Sequence, residues 1–279
     1  MSVAHLETNG PLLTQVVHEA LLAASRAGLA KLDLSLDLGR SQSSVNFSDE
    51  GWVWHGKRYP YMRKCKERTI YHWDGSAFTP IARFTIALIK LVPTDWGPPT
   101  FEIDGIKMLP TAKVSPYADA ERKVGLVRPR GKRILDTCGG LGYFAACCVD
   151  GGAAAVHSFE KSADVIWLRS LNPWSPQVDG PLQLTHADIT QQIKTLADGS
   201  FDAILHDPPR FGIAGELYSL DFYAQLARVL KRDGRMFHYT GTPNKLTSGR
   251  DLPNEVSKRL QIAGFNTELS GDGVLAIRR

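Results

Sequence analysis

The chain has 279 residues, a formal net charge of +4 and enough apolar residues for a sizeable core, which suits one catalytic domain with a smaller appendage. The longest apolar run falls short of the roughly 18 residues that a membrane-spanning helix needs, and the mild positive charge permits a polyanionic partner without requiring one. Cys65, Cys138, Cys147 and Cys148 show neither metal-ligand spacing nor a disulfide framework. With no basic-then-apolar leader, the expectation is a protein of the reducing cytoplasm that takes no metal.

Residues 11–30 have helical spacing with Pro11 near the start. From Lys31 to Leu109 the texture changes to short alternating segments, at 32–38, 44–47, 52–55, 69–73, 81–86, 88–92 and 101–106. Turn residues such as Asp74-Gly75 and Asp104-Gly105 separate them, the pattern of a small antiparallel β domain. A connecting helix is expected within 111–130. From Arg133 the order becomes strand, glycine-rich turn, helix, strand. Strands are expected at 133–136, 155–160, 183–187, 201–207 and 235–239, with a late pair near 265–269 and 273–278. Helices are expected at 143–149, 221–230 and 252–263. Such alternation predicts an α/β fold with a mostly parallel sheet and helices on both faces. The division into domains is placed at 1–110 and 111–279.

Gly139, Gly140 and Gly142 follow the buried strand Ile134-Leu135 and open a helix near Tyr143. Glycines let a backbone approach a ligand closely, and a helix start offers amide donors. The geometry suits S-adenosylmethionine or, through Gly140-x-Gly142-x-x-Ala145, a dinucleotide; it is also what a tight turn needs for itself. Three acids stand at successive strand ends. Asp136 is placed to orient the turn and a cationic methionine group, Glu160 to accept two ribose hydroxyls, and Asp188 to receive an adenine amino group. Any one of them alone reads equally well as a helix cap or a solvated turn residue.

These residues resemble class I S-adenosylmethionine-dependent methyltransferases. More narrowly, the chain is similar to the predicted archaeal-type methyltransferases related to spermidine synthases. The matching stretches are Leu135-Asp-Thr-Cys-Gly-Gly-Leu-Gly-Tyr143, Leu171-Asn-Pro-Trp-Ser175, Phe201 to Phe211, Ala214 to Ser219 and Phe237 to Gly241. Leu91 to Thr94 and Pro99 to Met108 extend the likeness upstream, so that it covers roughly the last two-thirds of the chain. The resemblance implies a Rossmann-like, seven-stranded, mostly parallel sheet behind a β-rich N-terminal domain, with S-adenosylmethionine as cofactor. The implied cofactor set is Asp136, Cys138, Gly140, Gly142, Glu160, Lys161, Asp188, Ile189 and Asp207. Cys138 stands where the broad class carries its first loop glycine, a replacement that the narrower family accommodates.

Asp207-Pro208-Pro209-Arg210-Phe211 ends the strand from Phe201, at the edge where open α/β sheets bind ligands. Prolines lock φ and donate no N–H, so their carbonyls can face a substrate amine while Asp207 accepts a hydrogen bond from it. This resembles the Asp/Asn-Pro-Pro-aromatic motif of enzymes that methylate amino groups on adenine, cytosine or glutamine. Asp207, Pro208, Pro209 and Phe211 are therefore the catalytic candidates. Arg210 holds the usual aromatic position, with Phe211 one place later to stack on a base. The plain alternative is that Pro-Pro only ends a strand. Carbon-directed methylation of cytosine would want a cysteine nucleophile near this loop, and no cysteine follows Cys148. Substrate candidates are Arg210, Glu216, Tyr218, His238 and Tyr239, with Lys245 and Arg250 on a lid-like loop. Tyr218 and Tyr223 read equally as helix packing, His206 reads as an orienting or core histidine, and Trp174 reads either as a flank for adenine or as packing.

Lys57 to Trp73 carries six basic residues and one acid, interleaved with Tyr59, Tyr61, Tyr71 and Trp73. Cations hold backbone phosphate and aromatics stack on unpaired bases, so the segment reads as an RNA surface or, equally, as a solvated hairpin face. With the amine-directed loop it favours N-methylation of a cytosine or adenine amino group in structured RNA such as ribosomal RNA. Alternatives are a spermidine-synthase-like aminopropyltransferase, a small-molecule amine methyltransferase, a nicotinamide-dependent oxidoreductase and a binding module without catalysis. The oligomeric state stays open, a homodimer included.

Overall fold

The computed structural model describes residues 10–48, 50–241 and 251–279. The described residues pack as two compact units, one from Ala118–Ile166 and from residue 175 onward, the other from residues 10–117 and Trp167–Trp174. The division thus follows Tyr117, and a short later segment joins the N-terminal unit, which a single cut in the sequence does not express.

The N-terminal unit opens with β1 (Leu12–Leu13) and α1 (Gln15–Arg26). Leu12 and Leu13 pair with β6 (Tyr71–Trp73), so the helix begins only after Thr14, whose hydroxyl accepts the Val17 N–H. The remaining strands are β2 (Lys31–Leu34), β3 (Ser43–Ser48), β4 (Gly51–Trp54), β5 (Lys57–Tyr59), β7 (Phe78–Pro80), β8 (Ala82–Phe84), β9 (Leu88–Val92), β10 (Thr100–Ile103) and β11 (Ile106–Lys107). They form three small antiparallel sheets, ordered β1-β6-β7, β2-β3-β4-β5 and β11-β10-β9-β8. His55 and Gly56, with φ of 48° and 74°, make the primed turn that joins β4 to β5.

The core of this unit corrects the reading of the basic aromatic segment. Trp52 is fully buried and stacks on Tyr59 at 4.9 Å, while Trp73 meets Tyr59 edge-on at 5.3 Å. Tyr71 is buried, and Tyr61 packs against the same cluster. The six cations Lys57, Arg58, Arg63, Lys64, Lys66 and Arg68 are exposed, Arg58 pairing with Glu50 and Arg68 with Glu102. The aromatics are therefore core, and only the charges face water.

The second unit is built on a seven-stranded sheet ordered β14-β13-β12-β15-β16-β18-β17. Its strands are β12 (Arg133–Asp136), β13 (Ala155–Glu160), β14 (Leu182–His186), β15 (Phe201–His206), β16 (Leu230–Tyr239), β17 (Phe265–Ser270) and β18 (Gly273–Arg278). β14 to β16 run parallel through β12, and β18 is antiparallel to both its neighbours. The helices along this stretch of the chain are α2 (Pro116–Val127), α3 (Tyr143–Asp150), α4 (Ala163–Leu171, which from Trp167 belongs to the N-terminal unit), the short α5 (Ile189–Gln192), α6 (Leu220–Val229) and α7 (Leu252–Ile262). Phe222 and Leu226 of α6 and Val256 and Leu260 of α7 pack with Leu135, Phe159, Ile204 and Met236 of the sheet. The chain leaves β12 toward β13 and β14, then crosses to β15 on the other side, making β12 and β15 the topological switch point. Among the described residues no helix is long and apolar enough to cross a membrane.

Candidate active site

Parallel pairing delivers Asp136, Glu160, Asp207 and Tyr239 to one edge of the sheet, each at or just beyond the carboxyl end of its strand. Asp136 lies opposite Leu205 in register, is buried, and accepts the Ser158 hydroxyl at 2.8 Å. The loop beyond it turns tightly. Gly139 donates to the Phe159 carbonyl at 2.7 Å, and Gly142 donates back to Gly139 at 2.8 Å. Gly140 and Gly142 take φ of +50° and +85°, a backbone region costly for residues with a Cβ, and Gly142 caps α3. Glu160 accepts the Gly140 N–H at 2.9 Å and the Ser162 N–H at 2.8 Å, one on each oxygen. Glu160 thereby braces the loop from both oxygens. A glycine cradle at a helix start, beside two carboxylates, fits an adenosyl group bearing a sulfonium.

The other members of the expected cofactor set are placed as follows. Asp188 caps α5 through the Thr190 N–H at 2.9 Å and pairs with Lys161 at 2.7 Å. Burial works against its charge, but these partners outweigh it and hold the carboxyl below its ordinary value. Ile189 is buried in the core beside it. Burial, reinforced by Glu160, pushes the Cys138 thiol well above the usual range, so it is protonated at neutral pH.

Asp207 follows β15 directly. Its side chain is partly exposed and makes no hydrogen bond to any described residue. Burial raises its carboxyl to about 6, against the lowering pull of Lys123 and with a further push from Asp119, Asp136 and Asp272. Pro208 is buried, while Pro209 and Arg210 are exposed. The Pro209 carbonyl already accepts the Tyr218 hydroxyl at 3.0 Å. The Pro209 carbonyl is thus partly committed within the protein, which favours the Pro208 carbonyl for a substrate amine. Phe211 lies edge-on to Tyr218 at 5.3 Å and packs against the core cluster, bracing the loop instead of offering an open stacking face.

Beneath the loop is a buried histidine pair. Burial takes His206 down to about 4, so it is neutral; it donates from Nε2 to the Leu217 carbonyl and accepts the Thr137 hydroxyl on Nδ1 at 2.7 Å. His238 is wholly buried, donates from Nδ1 to the Tyr239 carbonyl and accepts the Tyr223 hydroxyl on Nε2 at 2.8 Å. Both nitrogens of His238 are taken, which corrects its expected role toward substrate: it is part of the support. Tyr218, 2% exposed, is likewise a brace. Glu216 is exposed on the 3-10 turn Gly215–Tyr218. Trp174 belongs to the N-terminal unit, where its indole N–H donates to the Leu38 carbonyl at 2.9 Å. Lys245 and Arg250 lie outside the described residues.

One residue at this edge escaped the sequence reading. Lys123 of α2 is 1% exposed; its Nζ lies 2.6 Å from Asp119 and 3.6 Å from Asp272, and 4.0 Å from the Tyr239 ring centre. Burial lowers its proton affinity, but Asp207, Asp119 and Asp272 outweigh this and keep it charged. Nothing in the local string Arg122-Lys123-Val124 distinguishes it from a solvated helix lysine. A separate groove of about 300 Å3 opens at the amino-terminal ends of β12 to β14, lined by Arg133, His157 and Gln183, and contains none of the strand-end acids.

No protein-family model matches the chain. It is 44% identical over 178 residues to an uncharacterized protein of Methanocaldococcus jannaschii; the match takes in 63% of this chain and spans 61% of that relative's length. Among solved structures it resembles a spermidine synthase in complex with the transition state analogue AdoDATO, with a TM-score of 0.56 and 17% identity over 73% of this chain and 76% of that one. Spermidine synthase from Thermotoga maritima gives 0.55 and 19% over 72% and 73%. MnmC2 from Aquifex aeolicus gives 0.50 and 20% over 67% and 70%. The chain shares the α/β fold of these proteins.

Proposed function

We propose that the chain is an S-adenosylmethionine-dependent methyltransferase acting on an amino nitrogen, taken to be the exocyclic amino group of a cytosine or adenine in structured RNA such as ribosomal RNA. The observation that carries the reading is Asp207. It is a partly exposed carboxylate without a hydrogen bond to any described residue, at the switch-point edge that also holds the glycine cradle. The fold shared with a spermidine synthase whose solved complex holds AdoDATO supports an adenosyl group in that cradle. Gly140, Gly142 and the start of α3 would hold it, with Asp136 beneath the loop and Glu160 toward the ribose. Bound there, S-adenosylmethionine supplies an electrophilic methyl group for in-line displacement.

The chain's own residues supply position. An exocyclic base amine is a weak nucleophile because its lone pair is conjugated with the ring. Asp207 and the Pro208 carbonyl accept its two N–H groups and draw the nitrogen toward tetrahedral geometry, with the lone pair facing the cradle. Ionised Asp207 then takes the proton released as the nitrogen becomes substituted. Tyr218, Phe211 and the histidine pair keep the loop from yielding. The protonated Cys138 thiol argues against a carbon-directed mechanism through that residue.

RNA as substrate is supported by the exposed cations of the Lys57 to Arg68 segment, which suit backbone phosphate. Base stacking has to come from elsewhere, because Tyr59 and Tyr71 are core. A second reading, aminopropyl transfer to a polyamine, draws on the fold shared with the spermidine synthases and on Asp207; Asp119 and Asp272 at the same edge are already paired with Arg122 and Lys123. Calorimetry with S-adenosylmethionine, its decarboxylated form and NAD separates these readings. Preference for the decarboxylated form would favour aminopropyl transfer, and binding of NAD alone would sink both. Mass spectrometry of RNA nucleosides from a deletion strain should show one N-methylated cytidine or adenosine missing. An unchanged profile would count against RNA. Asp207→Ala should abolish transfer and keep cofactor affinity near wild type.

A further inference from the structure

A wholly buried lysine needs a reason, because desolvating an ammonium costs several kcal/mol unless its partners repay it. Tying α2 to the β17–β18 turn is not a sufficient one. Arg122, next along the helix and partly exposed, already makes that tie, reaching Asp119 at 2.9 Å and Asp272 at 2.7 Å. Lys123 duplicates both pairings from the inner side of the helix, with Asp272 at 3.6 Å, beyond hydrogen-bonding distance. What Lys123 has and Arg122 lacks is position: it sits 4.0 Å from the Tyr239 ring centre and within the field of Asp207.

From this geometry we infer that Lys123 is a positioning residue for the reaction, its buried ammonium holding Asp207 in the charged form that accepts a substrate amine. The inference rests on the reading of Asp207 given above. Asp207 comes one place after the His206–His238 pairing of β15 with β16 and so stands in line with Tyr239, the ring that the Lys123 ammonium covers. The charged and titratable groups acting on it are Lys123 and Asp119 from α2, Asp136 and Cys138 at the end of β12, Tyr218 from the turn before α6, Tyr239 from β16, and Asp272 between β17 and β18. Three of these are carboxylates that favour a protonated Asp207, and Lys123 is the cation set against them. Without it Asp207 would keep its proton to higher pH and be a hydrogen-bond donor over more of the range where the chemistry needs an acceptor.

The test reads the charge directly, on the full chain and without substrate. Carboxyl-labelled aspartate would be followed by carbon NMR, with the Asp207 signal identified by its loss in Asp207→Asn. The Asp207 titration should move upward by about 1–3 pH units in Lys123→Met, the usual influence of one adjacent opposite charge. Lys123→Arg should bring it back toward wild type. The coupling is reciprocal, so in Asp207→Asn the Lys123 ammonium, followed by nitrogen NMR, should titrate lower by the same amount. That second measurement stands even if Lys123→Met does not fold. Titrations in which neither partner responds to loss of the other would overturn the inference and leave Lys123 a staple. A coupled pair in a protein that transfers no methyl group would instead overturn the proposed function.

Discussion

Asp207→Asn should stabilise the protein at neutral pH while abolishing methyl transfer. Asp207 is raised from the ordinary aspartate range to about 6 by burial, so the native state holds its proton more tightly than the unfolded chain does. The stability this confers is complete below about pH 4, where both states are protonated, and is lost as pH rises through about 6. Above that, folding has to keep an ionised carboxylate partly out of water. A rise of roughly two units at about 1.4 kcal/mol per unit sets a ceiling of about 3 kcal/mol, which partial exposure of the side chain reduces. Asparagine keeps the shape and removes the charge. At about pH 7.5 the variant should be more stable by about 1–3 kcal/mol, or several degrees in melting temperature, and the advantage should vanish near pH 4. All six tryptophans belong to the N-terminal unit, so fluorescence reports that unit and helical circular dichroism follows mainly the other. Thermal unfolding of both proteins by circular dichroism across this pH range is the assay. A variant less stable than wild type at neutral pH, or an offset that does not change with pH, would refute the reasoning.

Gly142→Ala forces a Cβ into φ of +85° at the cap of α3; it should cost about 1 kcal/mol and weaken S-adenosylmethionine binding at least tenfold by calorimetry. Tyr218→Phe removes the hydroxyl that holds the Pro209 carbonyl. Water can replace that donor at an exposed proline, so melting should shift by about 1 kcal/mol or less while turnover falls further, as kinetics beside calorimetry would show. Trp52→Ala should cost the N-terminal unit about 3–5 kcal/mol and appear as early loss of tryptophan fluorescence and faster proteolysis.

The glycine loop and the strand-end acids were legible because their chemistry is local. A buried Ile134-Leu135 run, glycines at positive φ and an acid where a strand stops are all properties of a few consecutive residues. The same holds for Asp207-Pro208-Pro209, since proline constrains its own backbone wherever it stands. β5, β7 and β11 were missed because two or three residues carry too little periodicity to separate a strand from a turn. The segment Lys57 to Trp73 misled for a related reason. In β5 side chains alternate faces, so an aromatic and a cation adjacent in sequence point opposite ways, and Tyr59 went to the core while Arg58 went to water.

By itself, then, the sequence determined a mostly parallel α/β sheet with a glycine turn and a proline-stiffened loop at its edge, because period, glycine and proline act through the backbone they belong to. Only the tertiary structure decided the electrostatics of that edge. It buried His206 and His238 as a neutral pair, spent Asp188 on a helix cap and an ion pair, and gathered Asp119, Lys123 and Asp272 beside Tyr239, with Asp207 in their field. The charge state of a side chain depends on what excludes its water, and here those neighbours come from strands and turns far apart along the chain.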